Sequence, residues 1–485
     1  MAIRSNLAPP KPQREAWPWH HVKWTPLSAS LLGNGDRRME GENYLAGGYG
    51  IRLLIEARRT GRVTLASRAK VWQPSRLKGI QVSRDFGKSF LAATQVFDVR
   101  PVPRKWLSLE RTEDASERFV SEGTILVTCS GSVGRATLAH LPHKDVLISH
   151  DLLRVEPLAP GWKGWLYAYL RSPQGRAMMS AAQYGQIIKH LEVSHLDALP
   201  IPTLVEPLRH KFDLDINRII ALRNQAYSLM IDAEQRYADS FPTLTAPRDT
   251  LGFTAKASEI FGSRRRLDAS RYAPSTKKII EAFRRDAREV VALSTVTKRV
   301  FVPGRFKHIY GDGGTPYLDS ADILEINPDI TKLVLSLSAE EQEDYRVSPG
   351  WLLMPCSGQV YGNIGHVVMA TEWHVGKVLS NHIMRVCPSR EIRSGYLCCV
   401  LGHPAIGRPL SVRFAFGSSV PEIAPDDVAT IPVPRLTPAK EGKIADLAEA
   451  AAKAQDEADE LEERISTDAE NLIDAFLAGD TNRFE

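Results

Sequence analysis

Residues 123–202 read GTILVTCSGSVGRATLAHLPHKDVLISHDLLRVEPLAPGWKGWLYAYLRSPQGRAMMSAAQYGQIIKHLEVSHLDALPIP, and residues 350–434 read as a second version of the same text. Cys129-Ser130-Gly131 returns as Cys356-Ser357-Gly358, and Arg154-Val155 before Pro157 as Arg385-Val386 before Pro388. Gly164-Trp165-Leu166 returns as Gly395-Tyr396-Leu397, and Pro200-Ile201-Pro202 as Pro432-Val433-Pro434. Upstream, Arg37-Arg38-Met39 and Tyr44 match Arg265-Arg266-Leu267 and Tyr272, and Phe90-Leu91 matches Tyr317-Leu318. A period this long is a duplicated domain, not a solenoid repeat. One unit covers residues 28–242 and the other 256–479. Two copies in one chain predict a monomer with an approximate internal two-fold axis, able to touch two related sites at once.

The 485 residues suffice for two cores, and 43% hydrophobic with 25% charged content is that of an ordinary globular protein. No run of 18 apolar residues suggests a membrane span, and residues 1–24 lack the apolar core of a signal peptide. Five cysteines without CxxC pairs make neither a disulfide framework nor a zinc site, so no metal is expected. They read as small core residues of a cytoplasmic protein. The net charge of +5 is unevenly spread: from Thr437 to the end, five Lys and Arg face fourteen Asp and Glu. A basic body with an acidic helix points to a polyanion as one partner and protein as another.

Residues 1–27 lie outside the repeat. Their prolines and Trp17, Trp19 and Trp24 read as a strap over the first domain or as a docking arm. Residues 28–58 read as helical. Then come short apolar strands with cations and aromatics interleaved. In the first copy these are Arg68, Lys70, Trp72, Gln73, Arg76, Lys78 and Lys88; in the second, Lys298, Arg299, Phe301, Arg305, Lys307, His308 and Tyr310. Cations meet phosphates, while Arg, Lys and Gln read base edges, so this chemistry in both copies points to DNA. A later loop in each copy adds Gln183, Tyr184 and Gln186, or Arg413 and Ser418.

The strands 124–128 and 351–354 each run into a Ser-Gly, read as a tight turn into another strand. No GxxxxGK[ST] or GxSxG surrounds them, so they are neither nucleotide loops nor nucleophile elbows. WLYAYLRSPQG and YLCCVLGHPAIG read as one helix each. Each copy leaves through Pro-x-Pro into a long helix, about 205–240 and 438–478. The first carries Leu208, Phe212, Ile216 and Ile220; the second Ile444, Leu447, Leu461, Ile465 and Leu472. Spacings of three and four make a heptad-like seam. The two helices are expected to pack on each other, each about 50 Å long.

Taken in order, GTILVTCSGSVG, SHDLLRVEP, YAYLRSPQG, YGQIIKHL and the LPIP exit, with RLDASRYAP and GTPYLDSADIL in the second copy, resemble the specificity subunit of type I restriction–modification systems. The resemblance spans nearly all of the chain beyond residue 27. It implies an α+β protein: two tandem α/β target-recognition domains separated by two long helices in an antiparallel coiled coil. The domains would be an extension (1–27), recognition domain one (28–202), helix one (203–242), linker (243–255), recognition domain two (256–434), helix two (435–479) and a tail (480–485). It implies a non-catalytic subunit that reads a bipartite target in double-stranded DNA. Its partners would be two copies of a DNA adenine methyltransferase subunit, with a translocating nuclease subunit as an optional addition. No cofactor is expected on this chain; S-adenosylmethionine would sit on the methyltransferase. The alternative is a self-contained restriction or modification enzyme with its own recognition domains. No Asn/Asp-Pro-Pro-Tyr/Phe loop, Walker lysine or clustered nuclease carboxylates support it; Asn327-Pro328-Asp329 is the nearest match.

Overall fold

The run Ile125–Thr128 is buried at every position: a strand pairs with each of its edges, and Ile125 and Val127 enter the core of their unit. Each fully buried aliphatic side chain there contributes about 1.5–3 kcal/mol. The computed structural model describes residues 41–45, 47–185, 188–244, 252–261, 266–480 and 482–485. The arm 1–27, with its three tryptophans, and Gln186 lie outside them. The chain divides into two units. Unit 1 comprises Met1–Val96, Val102–Ile220 and Leu461–Glu485; unit 2 comprises Phe97–Pro101 and Ala221–Glu460.

Unit 1 holds an antiparallel sheet of β1 (Ala69–Trp72), β2 (Ile125–Thr128), β3 (Ala136–Leu138) and β4 (Leu152–Pro157), in the order β1-β4-β2-β3. Unit 2 holds β5 (Thr297–Phe301), β6 (Leu352–Pro355), β7 (Val368–Met369) and β8 (Ile383–Pro388), in the order β5-β8-β6-β7. The registers correspond: Trp72 faces Arg154, and Phe301 faces Arg385. A second sheet repeats too, with the parallel pairs Phe90–Leu147 and Tyr317–Val378. The Pro-x-Pro strands pair with Arg62–Thr64 and with Glu289–Ala292. The duplication read in the sequence is therefore a duplication of strand order and register.

Two repeated motifs have direct physical causes. Gly123 and Gly350 both take φ 83°, a left-handed turn that only glycine enters without strain, just before β2 and β6. Gly164 and Gly395 sit where a short helix meets a long one. A Cβ at Gly164 would stand 2.2 Å from the Phe212 backbone, and one at Gly395 2.5 Å from the Ala445 carbonyl oxygen. Their N–H groups donate to Asp213 and Glu449.

Arg154 and Arg385 are fully buried in their sheets and are also matched in what they do. Arg154 donates to the carbonyls of Ile148, Ser149 and Leu152; Arg385 donates to those of Leu379, Ser380 and Ile383. Burial lowers both guanidinium pKa values to about 10, so both stay charged near neutrality. His143 and His374 form another matched pair, each accepting a backbone N–H at Nδ1, from His140 and Thr371. Burial, then Lys377, lowers the His374 pKa from 6.5 to about 4, and burial lowers His143 well below its ordinary value. The unfolded chain thus binds protons that the folded one refuses. Stability from both is complete above about pH 6.5, and the His374 share is lost as pH falls through about 4. We expect urea midpoints to fall through that window, and to fall less steeply in His374→Gln.

Within 28–58, read as helical, the described residues form the helices Gly41–Leu45 and Gly47–Glu56. The structure departs from the sequence reading in three places. WLYAYLRSPQG breaks into Lys163–Arg171 and Pro173–Ala182, because Pro173 cannot continue a helix and Ser172 caps the next one through Gly175 N–H. YLCCVLGHPAIG likewise breaks after Gly402. The Ser357-Gly358 turn is not tight: residues 356–367 form a loop before β7.

The long helices are α1 (Glu206–Ala238) and α2 (Pro438–Ala478). In unit 1, Phe212, Ile216, Ile219 and Ile220 share a core with Leu461, Ile465, Ala469 and Ile473. Ile473 is fully buried there, while Leu208 and Leu472 lie at its flank. In unit 2, Leu222 and Ala226 pack with Ala454 and Ala458, and Ile444 enters the sheet core with Leu447 beside it. No described helix is long and apolar enough to cross a membrane. Among the described residues no group of three His, Cys, Asp or Glu could hold a metal ion.

Candidate nucleic-acid interface

Each sheet ends in a corner where four chain segments meet. In unit 1, Cys129 N–H donates to Asp151 O (3.0 Å), Leu191 N–H to Cys129 O (2.9 Å), and Gly131 N–H to Lys189 O (3.1 Å). Tyr184 and His190 exchange both backbone bonds. In unit 2 the frame recurs bond for bond. Cys356 N–H donates to His382 O (3.0 Å), Ile423 N–H to Cys356 O (2.8 Å), and Gly358 N–H to Pro421 O (2.9 Å). Phe416 and Glu422 exchange both backbone bonds.

The side chains on this common frame differ. Unit 1 presents Ser130, with Oγ 3.1 Å from His190 Nδ1, and Tyr184, whose ring lies 5.7 Å from that of His190. The Gln73 amide donates to His150 O (2.7 Å). Burial chiefly, with Arg118 and Arg76 nearby, holds the His150 pKa below its ordinary value despite Asp151. Its imidazole is neutral near pH 7. Unit 2 presents Ser357, with Oγ 2.7 Å from His382 Nδ1, and Glu422, whose carboxylate lies 3.9 Å from Arg305. Both units thus set a serine hydroxyl against an imidazole; what differs beside that pair is an amide and a phenol ring in unit 1, a carboxylate and a cation in unit 2.

The other residues expected from the sequence distribute as follows. In unit 1, Arg76 is exposed, and Lys78 is exposed beside Glu113 (3.4 Å). Lys70 lies 5.3 Å from the Trp72 ring, and Lys88 pairs with Asp145. Arg68 lies over Trp162 at 4.7 Å, with Arg209 also 4.7 Å from that ring. Gln183 is half-buried next to Tyr184. In unit 2, Lys298 sits at a register shift in β5, where a bulge re-aims a side chain. Arg299 lies over Phe301 at 3.8 Å. Lys307, His308 and Tyr310 are exposed, and His308 lies against Phe306, Tyr310 and Tyr317. Arg413 lies over Phe414 at 4.6 Å; burial, then Arg271, lowers its pKa to about 10. Ser418 is exposed on the Phe416–Glu422 loop.

The frame thus gathers Gln73 and Tyr184 in unit 1, and Arg305 with the Ser418 loop in unit 2. Arg68, Arg299 and Arg413 pack on aromatic rings. The sequence reading missed Ser130, His150, Asp151 and His190, and Ser357, His382 and Glu422. A signal existed: both copies place a polar triplet, Ser149-His150-Asp151 or Ser380-Asn381-His382, just before the strand with the buried arginine.

No protein-family model and no curated protein matches this sequence. Among solved structures, a type I restriction–modification S subunit from M. genitalium is 14% identical, spans 85% of this chain and 94% of its own, and gives a TM-score of 0.29. The HsdS subunit from Thermoanaerobacter tengcongensis is 13% identical, with 86% and 96% covered and a TM-score of 0.25. A chain from a study of assembly and conformational transition in a type I system is 12% identical, with 86% and 97% covered and a TM-score of 0.27. Over most of its length, what this chain is similar to is the specificity subunit of type I restriction–modification systems.

Proposed function

We propose that this chain is the non-catalytic specificity subunit of a type I restriction–modification complex. Each unit reads one half of a bipartite target in double-stranded DNA. The observation that carries this is the repeated corner: one backbone frame holds two different sets of polar side chains, as two different half-sites require. Phosphate contacts from exposed lysines and arginines would set register, and the corner side chains would read base edges. α1 and α2 form the antiparallel coiled coil that fixes the spacer between half-sites and docks two methyltransferase subunits. Contacts within each unit support that pairing: Lys211 with Asp468 in unit 1, Arg223 with Asp459 in unit 2. S-adenosylmethionine belongs to the methyltransferase, and a translocating nuclease is a further partner.

Methylation mapping of a host with and without this gene tests the reading. A split adenine-methylated motif should vanish with the gene; an unchanged methylome overturns the proposal. We also expect the mass of the reconstituted complex to show two methyltransferase subunits per chain. Duplex binding should fall with salt along a slope of about −0.9 per neutralised phosphate.

A further inference from the structure

Arg118 and Tyr345 occupy the same position in the two copies, each five residues before the left-handed glycine, and both are buried. Arg118 donates from Nη2 to Ser75 O (2.9 Å) and from Nε to Glu113 O (3.1 Å). The Tyr345 hydroxyl donates to Gly304 O (3.1 Å). Ser75 and Gly304 are themselves equivalent, each three residues past the matched strand ends Trp72 and Phe301. A guanidinium and a phenol, different in shape and charge, therefore reach the same carbonyl from inside.

That carbonyl belongs to the loop carrying Arg76 and Lys78 in unit 1, and Arg305 and Lys307 in unit 2. Neither loop lies in a strand at this point, so no ladder fixes its peptide planes. A peptide held by its oxygen fixes the direction in which the next side chains leave the backbone. Tyr345 is itself held: Arg385 Nη2 and Leu379 N–H both donate to its carbonyl, at 3.0 and 3.1 Å. Its ring packs on Phe306, 4.7 Å between centroids.

We propose that Arg118 and Tyr345 are positioning residues for sequence reading: each touches no DNA, and each aims the reading loop of its own unit. This rests on the specificity-subunit reading above. It predicts that removing either group changes which bases are accepted in one half-site, leaving the other half-site and the spacer alone.

The test uses the full chain with its methyltransferase partner. Tyr345→Phe deletes one oxygen and keeps the ring. Arg118→Met removes both donors, and Arg118→Lys keeps one. The measurements are the methylated motif and competition among duplexes carrying single-base changes. With Tyr345→Phe, discrimination at one or more positions of the second half-site should fall about tenfold, the scale of a single mismatch. Affinity for random duplex and its salt slope should not move. Arg118→Met should do the same to the first half-site, with Arg118→Lys intermediate. An unchanged motif with a lowered melting temperature, or a uniform loss of affinity over all sequences, makes the residues structural only and overturns the proposal. If Arg118→Met fails to fold, Tyr345→Phe decides. A wild-type complex with no bipartite motif would instead overturn the specificity reading, and this inference with it.

Discussion

Replacing Lys70–Lys88 with the corresponding segment of a relative of different sequence is expected to rewrite one half of the methylated motif and leave the other half intact. Both junctions lie on strands, so the graft keeps its register: Ala69 pairs with Pro157, and Phe90 with Leu147. Between them lie Arg76, Lys78 and Gln73, the last bonded to the corner through His150. Base-edge contacts carry sequence and phosphate contacts do not, so a new loop changes bases in one half-site only. The spacer should stay constant, because residues of α1 and α2 are untouched. Long-read methylation mapping gives the answer directly. If both halves changed together, or the motif stayed while affinity fell uniformly, the loops would not be modular readers.

Asp459→Leu is expected to destabilise unit 2 by about 3–5 kcal/mol, since it removes the carboxylate that pairs with the buried Arg223 guanidinium. The two lie 2.7 Å apart, with side chains 3% and 10% exposed. Asp459 also accepts the Asn327 N–H (3.2 Å), a second bond lost. For a unit of this size the midpoint should drop by roughly 6–20 °C. Replacing both partners, Arg223→Met with Asp459→Leu, should recover most of the loss, because the buried guanidinium then goes together with its carboxylate. The remaining deficit belongs to the lost bond from the Asn327 N–H. Calorimetry of the single and double variants checks the order; a double variant no better than Asp459→Leu would show that the charge pair is not the cause.

The duplication, the strands around Ile125 and Leu352 and the two long helices were legible in the sequence, because each rests on local order. A run of three or four buried apolar residues reads as a central strand. Spacing of three and four along residues 438–478 reads as one helical face. Even there, phase drifts: the central residue near the end of α2 is Ile473, reached from Ile465 and Ala469 in steps of four, and not its neighbour Leu472. A proline inside WLYAYLRSPQG outweighed the apolar pattern around it.

The corner was a tertiary decision. Gln73, Ser130, His150 and His190 lie far apart in the chain and meet only through hydrogen bonds between different segments, some from peptides and some from side chains. No periodicity records such bonds, so composition favoured the cations, which are conspicuous, over Ser, His and Asp, which are not. Nor can composition separate a cation facing solvent from one laid on a ring, as Arg68 is on Trp162 and Arg413 on Phe414. The sequence alone determined that there are two copies of one scaffold. The tertiary structure alone decided which polar side chains each copy presents, because that depends on which distant backbones share a hydrogen bond.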